Sequence, residues 1–366
     1  MKVEFSVLKR QYDMYSDEYE EAALKALRSG WYIMGNELSD FEKSFSQYLN
    51  IPYVIGVNSG LDALILAVRV LGIGSGDEVI VPANTYIASV LGVTENGATP
   101  VFVEPDAFHC IDADKIEEAI TESTKAIMPV HLYGQACQMD TIMRLADKYH
   151  LYVIEDCAQS HGATFNGQLT GTFGTIGCFS FYPTKPLGAL GDSGALAVND
   201  KVLADKLTAM RNYGSKVKYV NDIEGVNSRL DEVQAAVLKV GLTHLDSGNE
   251  YRRKIAYKYM NDINNTLIEL PLIREGNYHV FHVFAVMCKY RDELHEYLRE
   301  NGIKTLIHYP IPPHMQKCYK YLGYKEGDLP VAESYADSEL SLPIYVGMPM
   351  EEVDYVIEVI NKFKLD

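Results

Sequence analysis

No CxxC pair occurs in this chain; its six cysteines (Cys110, Cys137, Cys157, Cys178, Cys288 and Cys318) lie well apart and mostly in apolar surroundings. That pattern speaks against a disulfide framework and for a reduced, cytoplasmic compartment. No uninterrupted apolar run approaches the roughly 18 to 20 residues that span a bilayer, and Met1 to Arg10 lacks the apolar core of a signal peptide. A soluble protein with no membrane partner is expected. Basic residues are in deficit: 33 Lys and Arg stand against 50 Asp and Glu, for a net charge of −17. Neutralising a phosphate backbone needs clustered cations, so no nucleic-acid partner is expected. A nucleotide-linked small molecule, which needs only a few local donors, remains compatible. Metal-ligand patterns are missing too. His279 and His282 fall on opposite faces of an expected strand, and His308 and His314 flank a Pro-rich loop without acidic companions. No metal is expected.

What is present is the composition of a globular enzyme, with 47% hydrophobic and 23% charged residues. The 366 residues are long for one core, so a large and a smaller domain are expected. Helical spacing runs over Asp17–Arg28, closed by Gly30, and over Leu38–Leu49, where Phe41, Phe45 and Leu49 share a face. Then short apolar runs alternate with helical ones. Strands are expected at Tyr53–Val57, Glu78–Val81, Pro100–Val103, Ala126–Val130, Leu151–Glu155 and Ile176–Phe181. Helices are expected at Leu61–Leu71, Tyr86–Asn96, Asp114–Ile120 and Met139–Tyr149. Strands apolar on both faces, joined by crossover-length connections, indicate a largely parallel sheet covered on both sides. In such α/β folds ligands gather at the carboxyl ends of the strands. After Arg229 long helices (Leu230–His244, Tyr251–Ile263) lead to a strand at Val280–Cys288, a helix at Arg291–Asn301, a strand at Lys304–Ile307 and a final helix at Met350–Phe363. A small α/β domain is therefore placed at 245–366, after a large domain at 1–244.

The chemistry centres on Lys185. It stands in Ser180-Phe181-Tyr182-Pro183-Thr184-Lys185-Pro186-Leu187-Gly188-Ala189-Leu190-Gly191-Asp192, downstream of Glu155-Asp156-Cys157-Ala158-Gln159-Ser160-His161. An isolated lysine is ordinarily a solvated surface residue. Here an apolar strand precedes it and a loop of small and apolar residues follows, so the amine is partly desolvated and nucleophilic. An Asp directly after a strand is ordinarily a helix N-cap; the alternative for Asp156 is a salt bridge to a pyridine nitrogen. An amine that forms Schiff bases and a carboxylate that keeps a pyridine protonated are the two groups pyridoxal 5'-phosphate (PLP) needs from a protein. Gln159 is placed to reach the ring hydroxyl, and His161 reads as a core histidine. Val57-Asn58-Ser59-Gly60-Leu61-Asp62-Ala63 reads as strand, tight turn and helix start, whose free N–H groups suit a phosphate. Ser180 is a second phosphate donor, and Tyr86, at a strand end, is placed to stack on a flat ring. Gly72-Ile73-Gly74-Ser75-Gly76 follows a helix and precedes a strand, the wrong order for a dinucleotide fingerprint.

These segments, together with Ser29–Gly35, Gly74–Pro82, Pro129–Gln135, Arg211–Gly214 and Gly225–Asp231, resemble the DegT/DnrJ/EryC1/StrS family of PLP-dependent sugar aminotransferases over essentially the whole chain. The resemblance implies fold type I, the aspartate aminotransferase-like α/β architecture. That fold has a mostly parallel seven-stranded sheet between helices in the large domain, plus a smaller C-terminal α/β domain. It further implies that Lys185 is the Schiff-base lysine, Asp156 pairs with the ring nitrogen, Gln159 contacts the ring hydroxyl and Tyr86 stacks. Ser59, Gly60, Leu61 and Ser180 would hold the phosphate, and Asn227 would reach it in the partner subunit of a homodimer with shared active sites. Tyr182, His308, Tyr309 and His314 would lie near a nucleotide-sugar. Asn58–Leu64 and Thr305–His314 are most similar to the enzymes that transfer the amine of L-glutamate to the 3-keto carbon of dTDP-3-keto-6-deoxyhexoses. A 4-keto acceptor and a non-catalytic sugar-binding relative are the alternatives. Pro186 and Ser193 stand where the family more often has Asn and Gly.

Overall fold

In a computed structural model, which describes residues 1–217 and 219–365, the alternating apolar segments assemble into one seven-stranded sheet. Its strand order is Tyr53–Val57, Gly194–Val198, Ile176–Ser180, Tyr152–Asp156, Thr124–Ile127, Glu78–Pro82 and Thr99–Val103. Every pairing among the last five is parallel. Gly194–Val198 runs antiparallel to both of its neighbours. Alternate side chains of one strand go to different cores, as pleating requires. Val79 and Val81 join one cluster and Ile80 another; Ile154 and Val153 divide the same way. Both faces are thus apolar and covered by helices, which is why these strands read as continuous hydrophobic runs.

The helices follow their sequence signals. Ser16–Ser29 ends at Gly30 in the left-handed region (φ 70°), and Asn36–Leu49 buries Leu38, Phe41, Phe45 and Leu49. Gly60–Val70 is capped by the Ser59 hydroxyl, which accepts the Asp62 N–H at 3.0 Å. A separate core forms around Leu245–Asp262, Phe284–Met287, Glu339–Leu342 and Met350–Lys362, and it includes the N-terminal Val3, which bridges Ile303.

Four local expectations change. Asp114–Ile120 is no α-helix but a 3-10 turn at Glu117–Ala119; the Asp112 side chain and carbonyl take the Asp114 and Lys115 amides, a competition short acids often win. Lys304–Ile307 makes no ladder, because Ile303 bridges Val3 whereas Leu306 bridges Ser341. Val280–Cys288 shortens to Phe284–Met287, since Phe281 has a positive φ of 48° that interrupts extended backbone. The strand Gly194–Val198 and the helices Lys201–Met210 and Pro330–Ser338 were not anticipated. Gly-Ala-Leu-Ala-Val has a single β-branched residue, Val198, too few to mark a strand.

Candidate active site

The carboxyl ends of the central strands supply the site. Asp156 closes Tyr152–Asp156, in register with Cys178 of the adjacent Ile176–Ser180 strand. No helix follows Asp156, so it is not an N-cap. It is buried, with Oδ2 accepting from the Ser89 hydroxyl at 2.8 Å and Oδ1 from the Ala158 N–H at 3.1 Å. Thr85 in turn bonds Ser89 at 2.7 Å. Burial raises the carboxyl pKa, against the opposing pull of those bonds and of the Lys185 charge.

Lys185 sits in the turn after Ile176–Ser180. The Phe181 N–H donates to the Ser193 carbonyl (2.7 Å), the Ala189 N–H to the Phe181 carbonyl (2.8 Å), and the Lys185 N–H to the Tyr182 carbonyl (2.8 Å). Pro186 and Ser193 are both buried in this closed loop. Desolvation pulls the Lys185 amine down to about 8, with the Asp156 charge opposing it. More of the amine is therefore a free nucleophile near neutral pH than in a solvated lysine.

Gln159 is buried, its Oε1 accepting the Tyr133 N–H at 2.6 Å and its Nε2 donating to the Tyr309 hydroxyl at 3.2 Å. The Tyr309 ring lies 5.2 Å from that of Tyr86, which is 54% exposed. Tyr133 donates its hydroxyl to the His308 carbonyl. Ser59, Gly60 and Ser180 converge: a Cβ on Gly60 would lie 2.5 Å from the Ser180 Cβ, so only glycine lets the helix start and the strand end approach this closely. The free N–H groups of this helix start, with Leu61 next along it, are placed beside the Ser180 hydroxyl.

The other expected site residues are exposed or packed elsewhere. Asn227 is exposed and lines a pocket of about 170 Å³ with Asp62, Ile65, Leu66 and Arg69. Tyr182 is 51% exposed. His314 is buried, its Nε2 3.1 Å from Glu333 and its ring near Phe102 and Tyr324; these contacts make it a packing residue. Sequence reasoning missed Ser89, Thr85, Tyr133 and the buried Arg252, whose Nη2 donates to Asn249 at 2.6 Å. The charges of Lys185 and Arg252 join burial in holding His161 down at about 3 and His282 well below its usual range. Nothing in the local sequence marks these residues, because each reaches the site from a different element.

His131, Glu155 and Cys157 have ligand atoms within 4.8 Å of one another. The Glu155 carboxylate is already filled by the N–H groups of Gly171, Phe173 and Gly174 and by His131 Nε2, while His131 Nδ1 accepts the Cys137 N–H. This cluster is a satisfied core network.

The model of the DegT/DnrJ/EryC1/StrS aminotransferase family matches residues 14–361. The chain belongs to that family. It is 52% identical over 356 residues to a dTDP-3-amino-3,6-dideoxy-alpha-D-galactopyranose transaminase of Aneurinibacillus thermoaerophilus, covering 97% of this chain and 98% of that one. Among solved structures, Streptomyces venezuelae DesV in complex with a ketimine intermediate superposes with a TM-score of 0.97 at 45% identity, over 100% of both chains. The PLP form of Spr1654 of Streptococcus pneumoniae superposes with a TM-score of 0.89 at 28% identity, over 94% of this chain and 95% of that one. The fold is that of the fold type I aminotransferases.

Proposed function

We propose that this protein is a PLP-dependent nucleotide-sugar aminotransferase that moves the amino group of L-glutamate to the 3-keto carbon of a dTDP-3-keto-6-deoxyhexose. The products are 2-oxoglutarate and a dTDP-3-amino-3,6-dideoxyhexose. The observation that carries the reading is the desolvated Lys185 amine facing the buried Asp156 carboxylate at the ends of neighbouring strands. The relative at 52% identity, named for a 3-amino-3,6-dideoxy sugar, supports the acceptor.

The residues fit PLP. The cradle of Ser59, Gly60, Leu61 and Ser180, which a Cβ on Gly60 would fill, suits a phosphate dianion. Asp156, with only two donors engaged, has acceptor capacity left for a pyridinium N–H. Tyr86 would cover one ring face, and Gln159 stands within reach of a ring hydroxyl. Bound there, PLP would supply the electron sink for the donor carbanion and the carbonyl carbon that takes up and releases the amino group. Lys185 Nζ would hold the cofactor at rest. Released by a substrate amine, Nζ would take the Cα proton of the donor as general base and, as general acid, deliver it to the cofactor rather than back to Cα. In the second half-reaction Nζ moves the proton in the opposite direction, at sugar carbon 3. Tyr182, His308 and Tyr309 would line the sugar side.

Exposed Asn227, together with Leu27, Trp31 and Tyr32 at 52%, 64% and 55% exposure in the single chain, supports a homodimer in which Asn227 completes the partner's phosphate site. The six unpaired cysteines support a cytoplasmic location; among the described residues no helix is long and apolar enough to cross a membrane. Residues 245–366, whose last residue lies outside the described ones, form the smaller domain in this reading.

Lys185→Ala tests the proposal. The variant should lose the visible absorbance of bound PLP and all amine transfer from glutamate to dTDP-3-keto-6-deoxyhexoses, followed by product mass and NMR. Full activity would refute it.

A further inference from the structure

A chain of hydrogen bonds ties His308 to a buried acid that the chemistry above leaves unused. Glu339 and Ser341 lie on one face of the Glu339–Leu342 strand and are 1% and 0% exposed. The Ser341 hydroxyl is 2.5 Å from Glu339 Oε1 and 2.8 Å from His308 Nδ1. The other carboxyl oxygen, Oε2, accepts the His308 backbone N–H at 2.6 Å. A hydroxyl has a single hydrogen, so Ser341 donates to one neighbour and must accept from the other.

We propose that Glu339 and Ser341 are positioning residues for the acceptor half-reaction: through the Ser341 hydroxyl they decide which ring nitrogen of His308 carries hydrogen. They thereby decide whether Nε2 offers the nucleotide-sugar a donor or an acceptor. The inference rests on the placement of His308 against the sugar in the function proposed above.

The two arrangements follow from valence. When Glu339 is ionised it only accepts, so Ser341 donates to Oε1 and accepts from His308 Nδ1–H. Nε2 is then bare. When Glu339 is protonated, the peptide N–H at Oε2 keeps that oxygen an acceptor and the proton resides on Oε1. It donates to Ser341, Ser341 donates to Nδ1, and Nε2 carries the hydrogen. One proton at Glu339 is thus read out at the opposite end of the imidazole.

The neighbouring charges leave this as the variable element. His308 stays neutral, since burial and the Lys185 charge hold it at about 4. Burial lifts Glu339 to about 8 despite its bonds and the Arg291 charge. Arg291 itself donates to the Ala336 and Glu339 carbonyls. Tyr133 and Tyr309 face the acid with their phenol pKa values pushed up by burial, so both stay neutral. His282 is held deprotonated by burial and by the charges of Lys185 and Arg252. The donor form of Nε2 therefore prevails below about pH 8 and the bare form above it. The carbonyl and ring oxygens of a keto-sugar accept hydrogen bonds and donate none, so the lower range favours its binding.

The test uses the holoenzyme labelled with 15N in its histidine rings, with the His308 signals assigned by their loss in His308→Asn. Nε2 should change from protonated to bare as pH rises through about 8. Glu339→Gln should keep Nε2 protonated throughout: its carbonyl takes the His308 N–H and its amide donates to Ser341. Ser341→Ala should abolish the step and Ser341→Thr should keep it. In parallel, the KM for the dTDP-keto-sugar should rise several-fold across the same range in the wild type and stay flat in Glu339→Gln. Reduction of the PLP absorbance by glutamate alone should be the same in both, which a folding defect would not allow. A ring tautomer that ignores pH, or a step that survives in Glu339→Gln, overturns the relay. A tautomer step without a KM change overturns the contact between His308 and the sugar, and the positioning role with it. A tautomer step in a protein that aminates no dTDP-3-keto-sugar overturns the proposed function and leaves the relay standing.

Discussion

Glu155 and Asp156 are consecutive carboxylates on one strand, yet the pleat sends them to opposite faces with opposite fates. Towards the core, Glu155 accepts from three backbone N–H groups and from His131. Towards the site, Asp156 accepts from Ser89 and the Ala158 N–H alone. An ionised carboxylate has room for about four donors. Glu155 is full and holds the Gly171–Gly174 turn in place; Asp156 retains capacity for a ligand. Acids of the same charge, one residue apart, therefore divide structure from chemistry according to how many donors the fold aims at each.

The comparison breaks if the two respond alike to substitution. Asp156→Ala should remove nearly all activity, a loss on the order of a thousandfold in kcat, if it stabilises charge on the cofactor as preorganised electrostatic groups do. Its unfolding midpoint in urea should change less, because only two donors lose an acceptor and one of them, Ser89, keeps Thr85 as a partner. Glu155→Ala should do the reverse. Leaving one buried and two half-buried amides without their acceptor costs up to roughly 1 to 3 kcal/mol each, so the protein should be a few kcal/mol less stable by denaturant titration. The fraction that stays folded should still bind PLP. Equal activity losses in the two variants would end the distinction.

A smaller effect sharpens it. The Lys185 amine ionises at about 8, below its value in an unfolded chain. PLP capture by the apoprotein should therefore accelerate as pH rises and level off above about 8. The same depression means the folded state binds fewer protons than the unfolded one between the two pKa values. Lys185 thus costs stability below its folded pKa, and that penalty is relieved as pH rises from there towards the unfolded value. Because the Asp156 charge raises the amine, Asp156→Asn should move the capture midpoint to lower pH. The smallest change expected is from Ser89→Ala, which removes one donor from Asp156; a loss of about 1 kcal/mol, a few-fold in kcat, is the usual scale for one such bond.

Much of this was legible before any coordinates. The parallel sheet was readable because its strands are apolar on both faces, and Phe41, Phe45 and Leu49 announced their buried helix face. Lys185, Asp156 and Gln159 stood out because each lies at or within a few residues of the end of an apolar strand, where an α/β sheet collects its ligands. His314 misled, since a histidine beside a Pro-rich loop carries no sign that Glu333 will pair with it. The antiparallel strand Gly194–Val198 was hidden by its small residues. Ser89, Tyr133 and Arg252 were hidden by distance along the chain.

The order of residues alone determined where most of the strands and helices form, and that one lysine would be stripped of water, because these depend on local patterning. Tertiary structure alone decided which acid stays open, which histidine meets Glu339, and which hydroxyls support Asp156. Hydrogen-bond counts and buried charges are set by groups that converge from distant segments, and no local pattern records that convergence.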